Sequence, residues 1–252
     1  MLRDTGLVFA YQTRRLLRSP VVIVVGVMQP LLWLLLFGPL VKGLASSGLN
    51  GPDGASEAFD LFAPGLLVML ALYGSLYTGF ELISEWKAGV VERMVVSPMR
   101  PAALILGKAL RDVLAIGTQG VILILVAFAM GLDAELPGLP AVFGLLAVVV
   151  MMTSTFSYAV ALVLRDENLM SQTMGFLSLP LLLLSGVVLP LTLAPDWLRY
   201  IAQANPFYHV VVASRSAMAG DYGDASLPVA LLTCAALTVL ALRWAVGSLR
   251  RV

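Results

Sequence analysis

Residues 21–41 read VVIVVGVMQPLLWLLLFGPLV, a run without one charged side chain. As a helix it would be about 30 Å long, the thickness of a bilayer's hydrocarbon core. Five further stretches have the same character: Leu61–Ile83, with Glu81 near its end, Val113–Leu132, Leu136–Leu164, Gln172–Leu193 and Ala225–Leu242, the last being the shortest. Pro30, Pro64 and Pro180 fall inside them, which neighbouring helices make tolerable by satisfying the freed carbonyls. Composition agrees. Of 252 residues, 60% are hydrophobic and 12% charged, whereas soluble domains carry about 25% charged residues. The sequence therefore predicts an all-α integral membrane protein of six transmembrane helices, a single domain over 1–252.

Charge placement sets the orientation. All but Lys42, Arg199 and Arg215 of the 16 lysines and arginines fall before the first run, between the second and third, between the fourth and fifth, or after the sixth. Basic residues gather on the cytoplasmic side, so both termini and the Ser84–Asp112 loop are expected there, with the chain multi-pass in the cell (inner) membrane. Net charge is +1, which implies no nucleic-acid partner. Residues 1–19 place Leu7, Val8 and Tyr11 on one helical face beside Arg14, Arg15 and Arg18, the pattern of an amphipathic helix on the cytoplasmic membrane surface. A disordered basic tail is the plainer alternative. No small-residue cleavage site follows the first run, so it reads as a retained helix. Gly43–Asp60 reads as a flexible external loop, and Arg165–Asn168 as a tight internal turn. Residues 196–212 read as an external re-entrant or interfacial segment, with Trp197, Tyr200 and Tyr208 at headgroup depth.

Catalytic devices are missing from the pattern. A phosphate-binding loop needs G-x-x-x-x-G-K-[ST]; Gly107-Lys108 is followed by Ala109 and preceded by Ala102 where the first glycine belongs. His209 and Cys234 are the only histidine and cysteine, too far apart for a metal site, and Cys234 has no disulfide partner. Ser214 or Ser216 with His209 lacks any nucleophile-elbow context. No catalytic or metal-binding residue is assigned, and no cofactor is expected on this chain.

The loop after the second run is the most informative segment. It reads Glu85-Trp86-Lys87-Ala88-Gly89-Val90-Val91-Glu92-Arg93-Met94-Val95-Val96-Ser97-Pro98. Val90, Val91, Met94 and Val95 share one face of a short helix, which leaves Glu85 and Glu92 on other faces, free to meet a partner. Ser97-Pro98 ends it. An amphipathic surface connector would look the same.

This segment resembles the E-x-x-x-G-x-x-E-R-x-x-x-[ST]-P stretch of ABC-2 type transporter permeases. Ala63-Pro64-Gly65-Leu66 resembles that family's P-G stretch. Leu189-Pro190, Pro195-Asp196-Trp197-Leu198 and Asn205-Pro206-Phe207 resemble its approach to the last span. The likeness covers nearly the whole chain, in order, and is nearest the drug-export subgroup that includes daunorubicin-resistance permeases.

The resemblance implies a transport subunit rather than an enzyme, exporting a drug, antibiotic or lipid. ATP and Mg would be held by a separate ABC ATPase subunit, and a second permease chain would complete a homodimer or heterodimer. It implies that residues 84–102, with Glu85, Gly89, Glu92, Arg93, Ser97 and Pro98, couple to the ATPase. In a dimer the second and fifth spans would face the substrate path. The second carries Tyr73, Tyr77 and Phe80 as an aromatic stripe; the fifth carries Gln172, Met174 and Phe176. Glu81 either serves transport or pairs with Arg14, Arg15 or Lys87. Thr153, Ser157 and Ala161, four apart, suit close helix packing. A proton-coupled secondary transporter, which needs ionisable residues near mid-membrane, and a structural membrane scaffold are the alternatives.

Overall fold

The computed structural model describes residues 2–18, 21–44, 54–91, 100–132, 135–187, 194–221 and 225–249, and among them the only regular structure is helical. The helices are α1 (Leu2–Leu17), α2 (Val21–Leu44), α3 (Gly54–Leu76), α4 (Gly79–Lys87), α5 (Pro101–Ala129), α6 (Leu139–Leu164), α7 (Glu167–Leu183), α8 (Asp196–Gln203), α9 (Pro206–Met218) and α10 (Ser226–Leu249). A 3-10 turn, Leu136–Gly138, leads into α6. The all-α expectation holds.

Among the described residues five segments are long and apolar enough to cross a membrane: Ile23–Leu40, Phe62–Lys87, Pro101–Ala129, Leu136–Leu164 and Ser226–Leu249. Their exposure is the inverse of a water-soluble fold. In the strongly apolar α2 and α10 only 22% of the spanning residues are buried. Leu36, Leu232 and Leu240 lie on the outside, while Lys108, Asp112 and Gln119 are buried within. A surface this apolar is compatible with hydrocarbon as solvent, not with water. Between lipid-solvated helices association rests on close packing rather than on hydrophobic gain. Gly107 shows this: a Cβ there would stand 2.7 Å from Val8 Cβ and 3.1 Å from the Thr5 carbonyl oxygen, so only hydrogen lets α1 lie against α5.

Several boundaries differ from those expected. The fifth run, Gln172–Leu193, is not one long helix. Asp166 caps α7 by accepting from Leu169 N (2.9 Å), and the helix ends 17 residues later at Leu183 in a turn that reaches positive φ at Gly186; residues 188–193 lie outside the described part. The run after Ser84 is not a loop throughout. Pro101, whose ring is pre-set for the first helical turn, starts α5 twelve residues before Val113, so Lys108, Arg111 and Asp112 belong to a helix. The second run begins at Gly54, within the expected loop, and is broken at Tyr77–Thr78. The last helix is 24 residues rather than the shortest. Residues 196–212 form α8 and most of α9, the latter capped by Asn205 and started by Pro206.

The end of the bundle carrying α1, the C-terminus of α4 and the N-terminus of α5 collects Arg15, Lys87, Lys108, Arg111 and Arg165, and is called the basic end below. The far end holds the 3-10 turn and the C-terminus of α9, where Glu135 N donates to Met218 O. From there α9 runs inward until Pro206 and Phe207 reach the level of Leu76 and Met152, deep between α3, α6 and α10.

Candidate functional site

Six acidic and basic side chains from three helices, joined by Tyr158 from a fourth, meet at the basic end. Glu85, on α4, is held by Lys108 Nζ at 2.6 Å on one oxygen and Arg15 Nη1 at 2.8 Å on the other. Gln12 Nε2 donates to the Arg15-bound oxygen at 3.4 Å. Glu81, one turn back on α4, takes Arg15 at 3.4 Å and also Arg111. Arg111 Nη1 turns to Asp112 Oδ1 at 2.8 Å, and Tyr158 of α6 donates to Asp112 Oδ2 at 2.5 Å. Arg15, Lys108 and Arg111 thus balance Glu81, Glu85 and Asp112. The Lys108, Glu85 and Asp112 side chains are 2%, 7% and 1% exposed. Charges so deeply buried persist only when paired; unpairing any one of them strands another.

The helical period brings these residues together. On α5, Leu104, Lys108, Asp112, Ala115 and Gln119 recur every three or four positions and are buried. On α1, Val8, Gln12 and Leu16 form the buried face, turned to α5, while Leu7 and Tyr11, expected on one face with Val8, are exposed.

Just beyond the cluster the second membrane-capable segment is interrupted. Ser157 of α6 donates to Leu76 O (2.6 Å) and accepts from Gly79 N (2.9 Å), satisfying one carbonyl and one amide that the break at Tyr77–Thr78 frees. Thr78 Oγ1 closes the turn by donating to Ser75 O at 2.9 Å. A Cβ on Gly79 would sit 2.7 Å from Ser157 O, so α6 touches the backbone there. Thr153, Ser157 and Ala161 are all buried, and Ser157 does more than pack.

The anticipated coupling residues separate. Glu85 is not free to meet a partner, because its carboxylate is consumed inside the chain by Lys108 and Arg15. Gly89 ends α4: its φ is +70° and its N–H donates to Trp86 O at 2.9 Å, a helix C-terminus that glycine adopts without strain. Val91 is buried against the neighbouring helices. Glu92, Arg93, Ser97 and Pro98 lie outside the described residues. The α6–α7 turn abuts this region, with Arg165 stacked 4.6 Å over the Trp86 ring and Glu167 2.8 Å from Lys87 Nζ.

The substrate-path residues do not line one surface. The break at Tyr77 divides the Tyr73, Tyr77, Phe80 stripe; Tyr77 and Phe80 stack at 6.0 Å, while Tyr73 packs against a different part of the core. Met174 is fully buried, so it faces the chain's own interior rather than a path. Gln172 and Phe176 are exposed. Of the partners considered for Glu81, Arg15 is the one present, joined by Arg111; Lys87 goes to Glu167. Lys108, Arg111, Asp112 and Tyr158 were not anticipated, although the helical spacing of polar residues from 108 to 119 carried the signal.

Helices of this length and hydropathy define a multi-pass membrane protein. Residues 3–219 match the family described as ABC-2 type transporter. The chain belongs to that family, whose members are membrane transport permeases and not themselves catalytic. It is 29% identical over 229 residues to the daunorubicin resistance ABC transporter permease protein DrrB1 of Streptomyces coeruleorubidus, covering 88% of this chain and 77% of that one. It is 30% identical over 200 residues to the chain named transport permease ycf38 of Cyanophora paradoxa, covering 78% and 68%.

Proposed function

We propose that this chain is the membrane-spanning subunit of an ATP-driven exporter in the cell (inner) membrane. It pairs with a separate ABC ATPase that holds ATP and Mg, and with a second permease chain. It moves a hydrophobic or amphipathic molecule out of the cytoplasm or inner leaflet, and the drug-resistance relative favours a drug or antibiotic. In this reading the basic end faces the cytoplasm with both termini, α1 lies along the membrane surface, and 167–193 completes a sixth crossing. Residues 84–102 take the thrust of the ATPase.

The observation that carries the reading is the charge cluster at the root of that segment. Glu85, near the start of the segment, is pinned at once to α1 and α5, and Glu81 one turn before it is linked through Arg111 and Asp112 to α6. Displacing the segment therefore displaces the bundle. A proton-coupled carrier is less well supported, since the buried carboxylates of the cluster are each engaged by a cation.

Co-purification with the ATPase, followed by substrate-stimulated ATP hydrolysis, tests the proposal. Glu92→Ala should insert normally yet weaken ATPase binding, with a cost of about 2–5 kcal/mol if its charge is desolvated at the contact. Glu57→Ala serves as the control. Transport that persists without the ATPase and collapses with the proton gradient would refute the reading.

A further inference from the structure

A cavity of about 350 Å³ lies outside the aromatic stripe, between α7 and α10, floored by α3, α6 and the N-terminus of α9. Its wall includes Leu76, Met152, Phe156, Leu181, Phe207 and Trp244. The volume falls in the range of small-molecule sites, about 300–1,000 Å³. We propose that this cavity is a binding site for the hydrocarbon chain of an amphipathic molecule, which enters sideways from the bilayer between α7 and α10. The proposal rests on the exporter reading and makes its substrate class specific.

The chemistry of the wall selects the ligand. The polar groups bordering the cavity are engaged elsewhere. Thr153 Oγ1 donates to Val149 O at 3.0 Å. Asn205 Nδ2 donates to Leu181 O at 2.8 Å, and its Oδ1 accepts from Phe207 N at 3.1 Å. The N-terminus of α9 points here, but it offers no anion site: Pro206 has no N–H, Phe207 N is capped by Asn205, and Tyr208 N donates to Asn205 O. A hydrogen-bonding or charged moiety would lose its water and gain nothing in return. Alkyl or aromatic groups lose nothing, and they restore the dispersion contacts that a dry void leaves unmade along its lining.

The opening identifies the source. Leu240 and Trp244 line the cavity and are also exposed on the outer face of α10, while Phe176 and Leu183 are exposed on α7. Both lips are therefore continuous with surface suited to lipid tails. Leu76 ties the site to the helix break, because the residue whose side chain forms the cavity wall is the one whose carbonyl Ser157 holds. Occupancy is thus sensed directly beside the interruption between α3 and α4.

The full chain in lipid nanodiscs, exposed to a long-chain fatty acid bearing a mid-chain diazirine, provides the test. Irradiation should place adducts on peptides carrying Met152, Phe156 and Trp244. Ala241 is buried in the cavity wall, so Ala241→Phe should cut that labelling about tenfold by filling the space. Ala241→Leu, a milder filling, should cut it less. Leu232→Phe, on the lipid face, should leave it unchanged. Equal labelling in Ala241→Phe and wild type, with both variants monodisperse, overturns the proposal. So does labelling spread evenly over the exposed faces of α2 and α10. Chain-to-chain crosslinking through Leu240→Cys with no acyl labelling assigns the cavity to a second copy and overturns it too. The assay needs neither ATP nor the ATPase, so a failure of export and a failure of binding are read separately.

Discussion

Lys108→Met isolates the centre of the charge cluster. The substitution keeps the length and apolar stem of the side chain and deletes only the ammonium, 2.6 Å from Glu85. Glu85 then keeps Arg15, which is 55% exposed and shares itself with Glu81. A half-exposed partner of that kind contributes about 0–1 kcal/mol, while removing one member of a buried pair costs about 3–5 kcal/mol. The expected loss is therefore about 2–4 kcal/mol. Glu85→Gln should cost a similar amount by stranding Lys108. The double variant, with neither charge to bury, should cost clearly less than the two losses added, because matched apolar or neutral replacement of a buried pair is often close to neutral. An internal standard is available: Lys87 and Glu167 are 2.8 Å apart but both about half exposed, so Lys87→Met should cost clearly less than Lys108→Met. Thermal unfolding of the purified chain in one detergent, read by tryptophan fluorescence, measures all four variants. Additive losses, or a Lys108→Met no worse than Lys87→Met, would show that the cluster does not hold the helices together.

Ser157→Ala should cost about 1–3 kcal/mol by leaving the Leu76 carbonyl and Gly79 amide without their partner, and hydrogen exchange at the Gly79 amide should accelerate; unchanged protection there would free Ser157 of that role. Gly107→Ala should loosen α1 from α5 at a cost of about 1–3 kcal/mol, and Val8→Ala should recover part of it, both read by thermal unfolding; the absence of any rescue would place the strain elsewhere. Because Cys234 is buried, single cysteines can be read cleanly: Ser47→Cys should react with an impermeant maleimide in intact cells and Ser97→Cys only after permeabilisation, and the reverse pattern would invert the orientation.

Much of the bundle is legible in local pattern, since uncharged runs near 20 residues require spanning helices whatever packs around them. The charge cluster was obscured by the same rule. Lys108, Arg111 and Asp112 read as loop because they are charged, yet their spacing continues the helical period of Leu104 and Ala115, and distant partners make their burial tolerable. The break at Tyr77–Thr78 has no proline to announce it. It is stabilised by Ser157, 81 residues away from Leu76, a contact no window along the chain can contain. Likewise Met174 looked suited to an adaptable binding wall, but which side of α7 meets the core is decided by α3 and α6, not by the helix itself.

Because α1 precedes its partners in the chain, they emerge after it. Arg15 and Glu85 stand 70 residues apart, so at about 5–20 residues per second roughly 4–14 s separate their synthesis. Glu85, once made, must in turn wait for Lys108. The cluster closes only after the first turns of α5 arrive, and α1 docks behind helices that follow it in the sequence. A nascent chain halted before residue 108 leaves Glu81 and Glu85 to share Arg15 alone.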